Sequence, residues 1–168
     1  GRLIERKGLH ILLHAVSKIL TNTNNVVLWI EGDGPNTHYY QKLAHDLKII
    51  NKTFFLGFCQ FDLHSWLIRH STIIVVPSIQ DNWGIVVDEG LTMGKIVVST
   101  TGTGSAVDRI VNGVNGFIYS EPHELEVILQ GVIDNLLAGQ PCLNSKQSFL
   151  KIISPDDNRK TIENIFQG

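Results

Sequence analysis

The fold is decided by residues 77–98, which read PSIQDNWGIVVDEGLTMGKIVV. A short apolar strand precedes this stretch, a helix is expected to begin near Trp83, and a glycine then stops the helix before the next buried strand. Loops that follow parallel strands line the crevice where α/β sheets bind ligands, and helix N-termini offer free N–H groups there. The stretch therefore predicts a binding crevice bordered by two acids, Asp81 and Glu89.

Short apolar runs alternate with amphipathic segments on both sides of this stretch. Runs that are apolar throughout predict strands covered by helices on both faces of a sheet. We place strands at 26–30, 53–58, 72–76, 96–99 and 116–119, and helices at 9–20, 40–47, 63–67, 105–111, 125–136, 149–153 and 161–166. Regular alternation of this kind predicts an α/β fold with a doubly wound, Rossmann-like parallel sheet. We find no linker or repeat, so residues 1–168 are predicted to form one domain.

Composition excludes several classes of function. A net charge of −2 gives no basic field for nucleic acid or for an anionic membrane. No apolar run approaches the roughly 20 residues that a membrane span needs. The two cysteines, Cys59 and Cys142, lie far apart and outside any metal-binding spacing, which is typical of a reducing cytoplasm. A small molecule or another protein is the expected partner.

The first eight residues, GRLIERKG, place cations just before a predicted helix. Cations are unfavourable at the positive end of a helix dipole, so their presence indicates that an anion fills the gap. Arg2 is suited to bidentate contacts with phosphate, and Lys7 supplies a point charge. An ordinary solvated basic loop is the alternative reading.

Two further turns allow both a structural and a binding role. The turn at 32–35, GDGP, is either a tight strand-to-helix connection or a place where Gly34 lets a ligand approach the backbone. The turn at 100–105, TTGTGS, either contacts a sugar or phosphate or simply caps the following helix through Ser105. The residues alone do not decide between these readings.

The two acids, Asp81 and Glu89, differ in the roles that the sequence allows them. Asp81 either caps the helix or accepts hydrogen bonds from sugar hydroxyls. Glu89 is expected about two turns inside that helix, among apolar residues, where a capping role cannot explain it. We interpret Asp88 as a solvated acid.

The seven histidines show no metal-ligand spacing, and Ser78 has no nucleophile-elbow glycines, so neither a metal site nor a hydrolase triad is expected.

Six segments stand in a recognisable order and spacing: GRL with KG at 1–8, GDGP at 32–35, FLG at 55–57, PS with D, WG and E at 77–89, G with VV at 94–98, and NGVNGF at 112–117. In these segments the chain resembles the C-terminal, donor-binding domain of a retaining glycosyltransferase of the group 1 (family 4) type, which has the GT-B fold. The resemblance extends from residue 1 to about residue 137. The family commonly has glutamate where Asp81 stands and phenylalanine where Trp83 stands.

The resemblance implies a role for each matching residue. Arg2 and Lys7 would hold the diphosphate of the donor, and Asp81 would face the donor sugar; these three are the expected catalytic residues. Glu89 would bind the ribose hydroxyls. The other donor contacts are expected at Gly34, Ser78, Asn82, Trp83, Gly84 and Ile85.

The resemblance also implies an activity and its setting. A sugar would move from a nucleoside diphosphate to a glycan or lipid-linked acceptor, with retention and without metal or cofactor, in bacterial surface polysaccharide synthesis. The acceptor would bind a missing N-terminal domain, and the first strand is expected to be truncated. The chain alone would then be inactive, and the complete enzyme would be cytoplasmic, at the inner face of the membrane. The alternative is a non-catalytic nucleotide-sugar-binding or scaffold module that recruits a partner chain.

Overall fold

Strands and helices alternate along the chain as the pattern predicts. The structure is a computed structural model that describes residues 1–140, and the helices expected at 149–153 and 161–166 lie outside this part. In chain order the elements are α1 (Leu9–Asn22), β1 (Leu28–Glu31), α2 (Thr37–Asp46), β2 (Thr53–Gly57), α3 (Phe61–His70), β3 (Ile73–Val76), α4 (Ile85–Thr92), β4 (Ile96–Thr100), α5 (Gly104–Arg109), β5 (Gly116–Tyr119) and α6 (Pro122–Leu137). Single 3-10 turns occupy Glu5–Lys7 and Ile50–Lys52.

The ends of the helices follow local chemistry. Helix α6 begins with a capping box, in which Glu121 and Glu124 satisfy each other's backbone N–H groups, and Pro122 occupies the first turn. Helix α4 begins two residues later than the predicted Trp83. The reason is Gly84, whose φ of 80° is left-handed and cannot belong to the helix.

All strand pairs are parallel, which confirms the α/β class, but the strands form two sheets. Strands β1 and β2 make one sheet, with Ile30 opposite Phe55. Strands β3, β4 and β5 make the other, with Val98 paired to Val75 on one side and Phe117 on the other. Within residues 1–140, β1 and β3 do not pair with each other, and residues 1–4 form no strand.

Two apolar clusters form the core. The larger one joins α1 and α6 to both sheets and includes Leu13, Ile30 and Leu125. The smaller one lies against the three-stranded sheet only, where Val87 of α4 and Ala106 of α5 pack on Val97 of β4. All five residues of β4 are buried, as expected for a strand covered on both faces.

A cavity of about 700 Å³ lies between the two sheets. Its walls are the facing edges of β1 and β3 together with apolar side chains of α1 and α6. Pro77 and Ser78, which follow β3, also line the cavity, so it reaches the carboxyl ends of the strands. Arg2, Lys7 and Asp81 lie at this polar end.

Candidate functional site

The first loop and the turn after β3 meet in an ion pair. Lys7 Nζ donates to Asp81 Oδ2 at 2.5 Å, although the two residues are 74 positions apart. The lysine side chain is 27% exposed and the aspartate 19%, so the pair is partly shielded from water. The structure thus brings together two of the three predicted catalytic residues at the mouth of the crevice.

Backbone contacts hold the first loop against this turn. Gly8 has a φ of 68°, and a Cβ there would lie 1.9 Å from the carbonyl oxygen of Pro77. The Ile79 N–H donates to the Arg6 carbonyl at 2.9 Å, and the Arg6 guanidinium donates to the Gln80 carbonyl at 3.0 Å. The sequence interpretation missed Arg6, whose only signal was its place beside Lys7. Lys7 is therefore presented by a loop with little freedom to move.

Arg2 stands at the rim of the cavity with its side chain exposed. The N–H of Leu3 donates to the Asp33 carbonyl at 2.9 Å, which fixes the backbone beside Arg2. Within residues 1–140 the Arg2 guanidinium has no hydrogen bond or ion pair. An anion at the mouth would find this cation without having to displace a protein partner.

Gly34 packs against the chain itself. A Cβ at Gly34 would lie 2.4 Å from the carbonyl oxygen of Leu3, and the Gly34 N–H donates to Asp33 Oδ1 at 2.7 Å. Hydrogen bonds from Thr37 and from this N–H hold the pKa of Asp33 below its ordinary value. The close approach that the glycine allows is thus to the first loop, and a donor contact at Gly34 stays a prediction.

The hydroxyl-rich loop after β4 supports the turn at Asp81. The Asp81 N–H donates to the Gly102 carbonyl at 2.8 Å, and the Gly104 N–H donates to the Asp81 carbonyl at 3.1 Å. The capping role considered for Ser105 is wrong, because α5 begins at Gly104 and its N-cap, Thr103, makes no side-chain hydrogen bond. Ser105 lies inside α5, and its hydroxyl donates to the Gly84 carbonyl at 2.9 Å.

The N-terminus of α4 faces the same mouth without a side-chain cap. Asp81 is not its cap, because Gly84 occupies that position and makes no side-chain bond. Glu89 is the fifth residue of α4, about one turn in, so the prediction of two turns is wrong for the same reason. The first-turn N–H groups of a helix have no intrahelical acceptor, so this end can receive an anion.

Trp83 and Ile85 are exposed at this end of α4, by 42% and 64% respectively. The indole N–H of Trp83 donates to Asp88 Oδ2 at 2.8 Å, and the Arg109 guanidinium lies 5.9 Å from the centroid of the indole ring. Arg109 Nε also lies 3.5 Å from Asp88 Oδ1. The interpretation of Asp88 as a merely solvated acid is therefore wrong, because it orients the Trp83 ring.

The remaining predicted contacts differ in accessibility. Ser78 is buried, its carbonyl accepts a hydrogen bond from the Thr100 hydroxyl, and it lines the cavity. Asn82 is exposed on the turn. Ser78 lies in the wall of the cavity and Asn82 does not, and a donor contact at either residue stays a prediction.

Glu89 belongs to a cluster that the sequence did not reveal. His64 Nε2 lies 3.0 Å from Glu89 Oε2, and His64 Nδ1 lies 2.8 Å from Oε2 of Glu31, the last residue of β1. Burial lowers the pKa of His64, but the hydrogen bonds and charges of the two glutamates outweigh it and raise that pKa above its ordinary value. Histidines were considered only as metal ligands, and the spacing of these three residues carries no signal of contact.

Three observations concern other possible properties of the chain. Among residues 1–140, no group of three histidine, cysteine or acidic side chains is placed to hold a metal ion. Burial raises the pKa of the Cys59 thiol, which favours its protonated form. In the same part of the chain, no helix is long and apolar enough to cross a membrane.

Comparison with known sequences identifies one family. The model of the family described as glycosyl transferases group 1 matches residues 1–147. An uncharacterized glycosyltransferase of Methanocaldococcus jannaschii, MJ1607, is 34% identical over 132 residues, which are 79% of this chain and 33% of that protein. The lipopolysaccharide core biosynthesis glycosyltransferase LpsE of Rhizobium meliloti is 36% identical over 104 residues, 62% of this chain and 29% of that protein. The chain thus spans about a third of these curated relatives.

Solved structures share the fold. Anabaena Alr3699/HepE in complex with UDP superposes with a TM-score of 0.72 and 24% identity, over 100% of this chain and 47% of that one. The C-terminal domain of the group 1 glycosyl transferase LpcC of Francisella tularensis gives a TM-score of 0.71 at 20% identity, over 82% of this chain and 74% of that one. At these identities the likeness concerns the fold.

Proposed function

Because the chain belongs to the group 1 glycosyl transferases and has the Rossmann-like fold of one half of a GT-B enzyme, we propose that it is the donor-binding domain of such an enzyme. It binds a nucleoside diphosphate sugar at the carboxyl ends of its strands. The sugar then passes, with retention, to a glycan or lipid-linked acceptor held by a further, N-terminal domain. On its own the domain binds the donor and transfers almost nothing.

The Lys7–Asp81 contact is the observation that carries this proposal. It places a fixed cation beside the uncapped N-terminus of α4, with the free guanidinium of Arg2 at the same rim. Departure of a nucleoside diphosphate builds negative charge on its β-phosphate, and fixed cations with helix N–H groups stabilise such charge. This arrangement supplies that stabilisation without a metal ion.

The roles of the remaining residues are part of the same proposal. Asp81, oriented by Lys7 and by the backbone of Gly102 and Gly104, faces the donor sugar. The Glu89 carboxylate accepts hydrogen bonds from the ribose hydroxyls. Trp83, Gly84 and Ile85 line the path between sugar and β-phosphate, where the first N–H groups of α4 point outward.

The biological setting is inferred from the relatives. LpsE is named for lipopolysaccharide core biosynthesis, so a surface polysaccharide is the class of product that we propose. The complete enzyme would then work at the inner face of the membrane. HepE has been solved with UDP and with UDP-glucose, which makes UDP the first nucleotide to test.

Titration calorimetry of the chain with UDP, GDP and ADP tests the proposal. We expect one of them to bind, and Arg2→Ala to weaken it about tenfold or more, as loss of a charge-assisted hydrogen bond to phosphate does. Arg69→Ala is the matched control, because Arg69 is also exposed but lies in the last turn of α3, just before the start of β3 and away from the carboxyl ends of the strands. A folded sample that binds none of the three nucleotides would overturn the proposal and favour the scaffold alternative.

A further inference from the structure

The imidazole of His64 connects the two sheets at the floor of the proposed ribose site. One ring nitrogen contacts Glu31 at the end of β1, and the other contacts Glu89 on α4, which packs on the three-stranded sheet. The three side chains are 18%, 27% and 30% exposed for His64, Glu31 and Glu89 respectively. The cluster is therefore mostly shielded from water, and Glu89 keeps the largest exposed fraction of the three.

The two contacts determine the charge of the ring. A carboxylate only accepts hydrogen bonds, and neutral imidazole has one N–H. Contacts from both ring nitrogens to ionised carboxylates therefore require the imidazolium form. The cluster then carries two negative charges and one positive charge, and a hydrogen bond is lost when the ring loses a proton.

The contact with His64 leaves one carboxylate oxygen of Glu89 available to accept a hydrogen bond from a ligand. Only Oε2 of Glu89 contacts His64, and among the described residues Oε1 accepts no hydrogen bond. A glutamate side chain that moves freely before binding loses conformational entropy when a ligand fixes it. A carboxylate that is already fixed avoids most of that loss at the moment of binding.

We propose that His64, held by Glu31, is a positioning residue that aims the Glu89 carboxylate at the ribose hydroxyls of the donor. This inference rests on the proposed function, because it names the ligand group that Glu89 receives. His64 acts through Glu89 and does not touch the donor. The two glutamates have unequal roles, since Glu31 orients the ring and Glu89 meets the ligand.

Other titratable groups near the cluster have to be separated from His64. Besides Glu31 and Glu89, these are the Cys59 thiol, which interacts electrostatically with Glu31, and the Gly1 amino group, which donates to the Glu31 carbonyl at 2.9 Å. A substitution at position 64 removes only the imidazole and leaves these four groups in the chain. A pH effect that disappears in a His64 variant is therefore assigned to the imidazole.

The experiment compares the affinity of the chain for UDP with its affinity for 2′,3′-dideoxy-UDP, which lacks the ribose hydroxyls. If UDP does not bind, GDP or ADP is compared with its own dideoxy form. The ratio of the two affinities isolates the hydroxyl contacts and cancels titration of the phosphates. At about pH 6 we expect His64→Gln to reduce this ratio by about tenfold, the worth of one charge-assisted hydrogen bond. His14→Gln, an exposed histidine of α1, should leave it unchanged.

The pH dependence of this affinity ratio distinguishes positioning of Glu89 from a purely structural role of His64, which would leave the ratio unchanged. In the wild type the ratio should fall as the pH rises from about 6 to about 8, and in His64→Gln it should stay flat. Equal weakening of both ligands in His64→Gln, or an unchanged ratio, overturns the inference while the proposed function stands. Failure of the wild type to bind any of the three nucleotides overturns both.

Discussion

The two sheets of this domain differ in how completely they are buried. Strand β4, at the centre of the three-stranded sheet, is buried at every residue, and helices cover both of its faces. In the two-stranded sheet only Ile30 of β1 and Thr53 of β2 are buried. Two aromatic side chains beside that sheet, Phe58 and Phe61, are 83% and 79% exposed.

This difference in burial indicates which parts of the candidate site are held rigidly. The turn at Asp81 and helix α4 belong to the well-covered sheet, whereas Glu31 comes from the less-covered one. Because no backbone ladder joins the sheets within residues 1–140, the junction depends on the shared apolar cluster and on polar links. The contacts of His64 with Glu31 and Glu89 form one such link. The Lys7–Asp81 pair fixes the first loop at the same junction.

The largest effect should come from truncating the core of the well-covered sheet. Ile96 of β4 is 2% exposed, and Ile96→Ala should lower the free energy of unfolding by about 4 kcal/mol, since a buried cavity is left. Leu28 of β1 is half-buried, and Leu28→Ala should cost about half as much, roughly 2 kcal/mol. Urea unfolding followed by circular dichroism measures both. Equal losses would show that the sheets contribute alike.

The next effect concerns two glycines with the same backbone conformation. Gly8 and Gly57 have φ values of 68° and 70°, but only Gly8 has an atom in the way, the Pro77 carbonyl oxygen. Gly57→Ala should cost about 1 kcal/mol through left-handed strain. Gly8→Ala adds overpacking and should cost about 3 kcal/mol in all.

The same unfolding assay compares the two glycine variants. Gly8→Ala should also weaken nucleotide binding, because the loop that carries Lys7 has to move. If both variants lost the same stability, the close fit of the first loop against Pro77 would not contribute to the fold.

A smaller effect is expected from the Lys7–Asp81 pair. A double-mutant cycle with Lys7→Ala and Asp81→Ala should give a coupling of about 1 kcal/mol in the free energy of unfolding, at the upper end for pairs that water still reaches. Lys18 and Glu126 join α1 to α6 at 2.7 Å but are 74% and 39% exposed. Their cycle should give less than about 0.5 kcal/mol. A larger coupling in this exposed pair would contradict our account of the site.

The smallest effect is the pH dependence of stability that His64 confers. The pKa of His64 is raised in the folded chain, so its stabilisation is complete below the pKa of the unfolded chain, about 6.5, and is lost as the pH rises through the folded value. The free energy of unfolding of the wild type should therefore exceed that of His64→Gln by more at about pH 6 than at about pH 8.

Urea titrations at several pH values measure this difference. His14→Gln provides the control for the other histidines, because the side chain of His14 is exposed. A difference between wild type and His64→Gln that did not change with pH would mean that the ring is not charged in the folded chain.

The sequence predicted the elements well because each has a local cause. Strand β5 lies at the predicted 116–119, and α6 contains the whole of the helix predicted at 125–136. The start of α4 was missed because Gly84 takes a left-handed conformation, which glycine permits but its presence in a sequence does not require. The split into two sheets was missed because strand pairing is a long-range property that apolar patterns do not specify.

For the site, the sequence determined the residue types and their order, and the fold that follows from alternating buried strands. It put a basic first loop and two acids at strand ends, and the structure joins Lys7 to Asp81. Only the tertiary structure decided that Glu89 has His64 and Glu31 as partners, and that Asp88 holds Trp83. The physical reason is range: propensities and caps act over a few residues, whereas these contacts depend on how helices pack across two sheets.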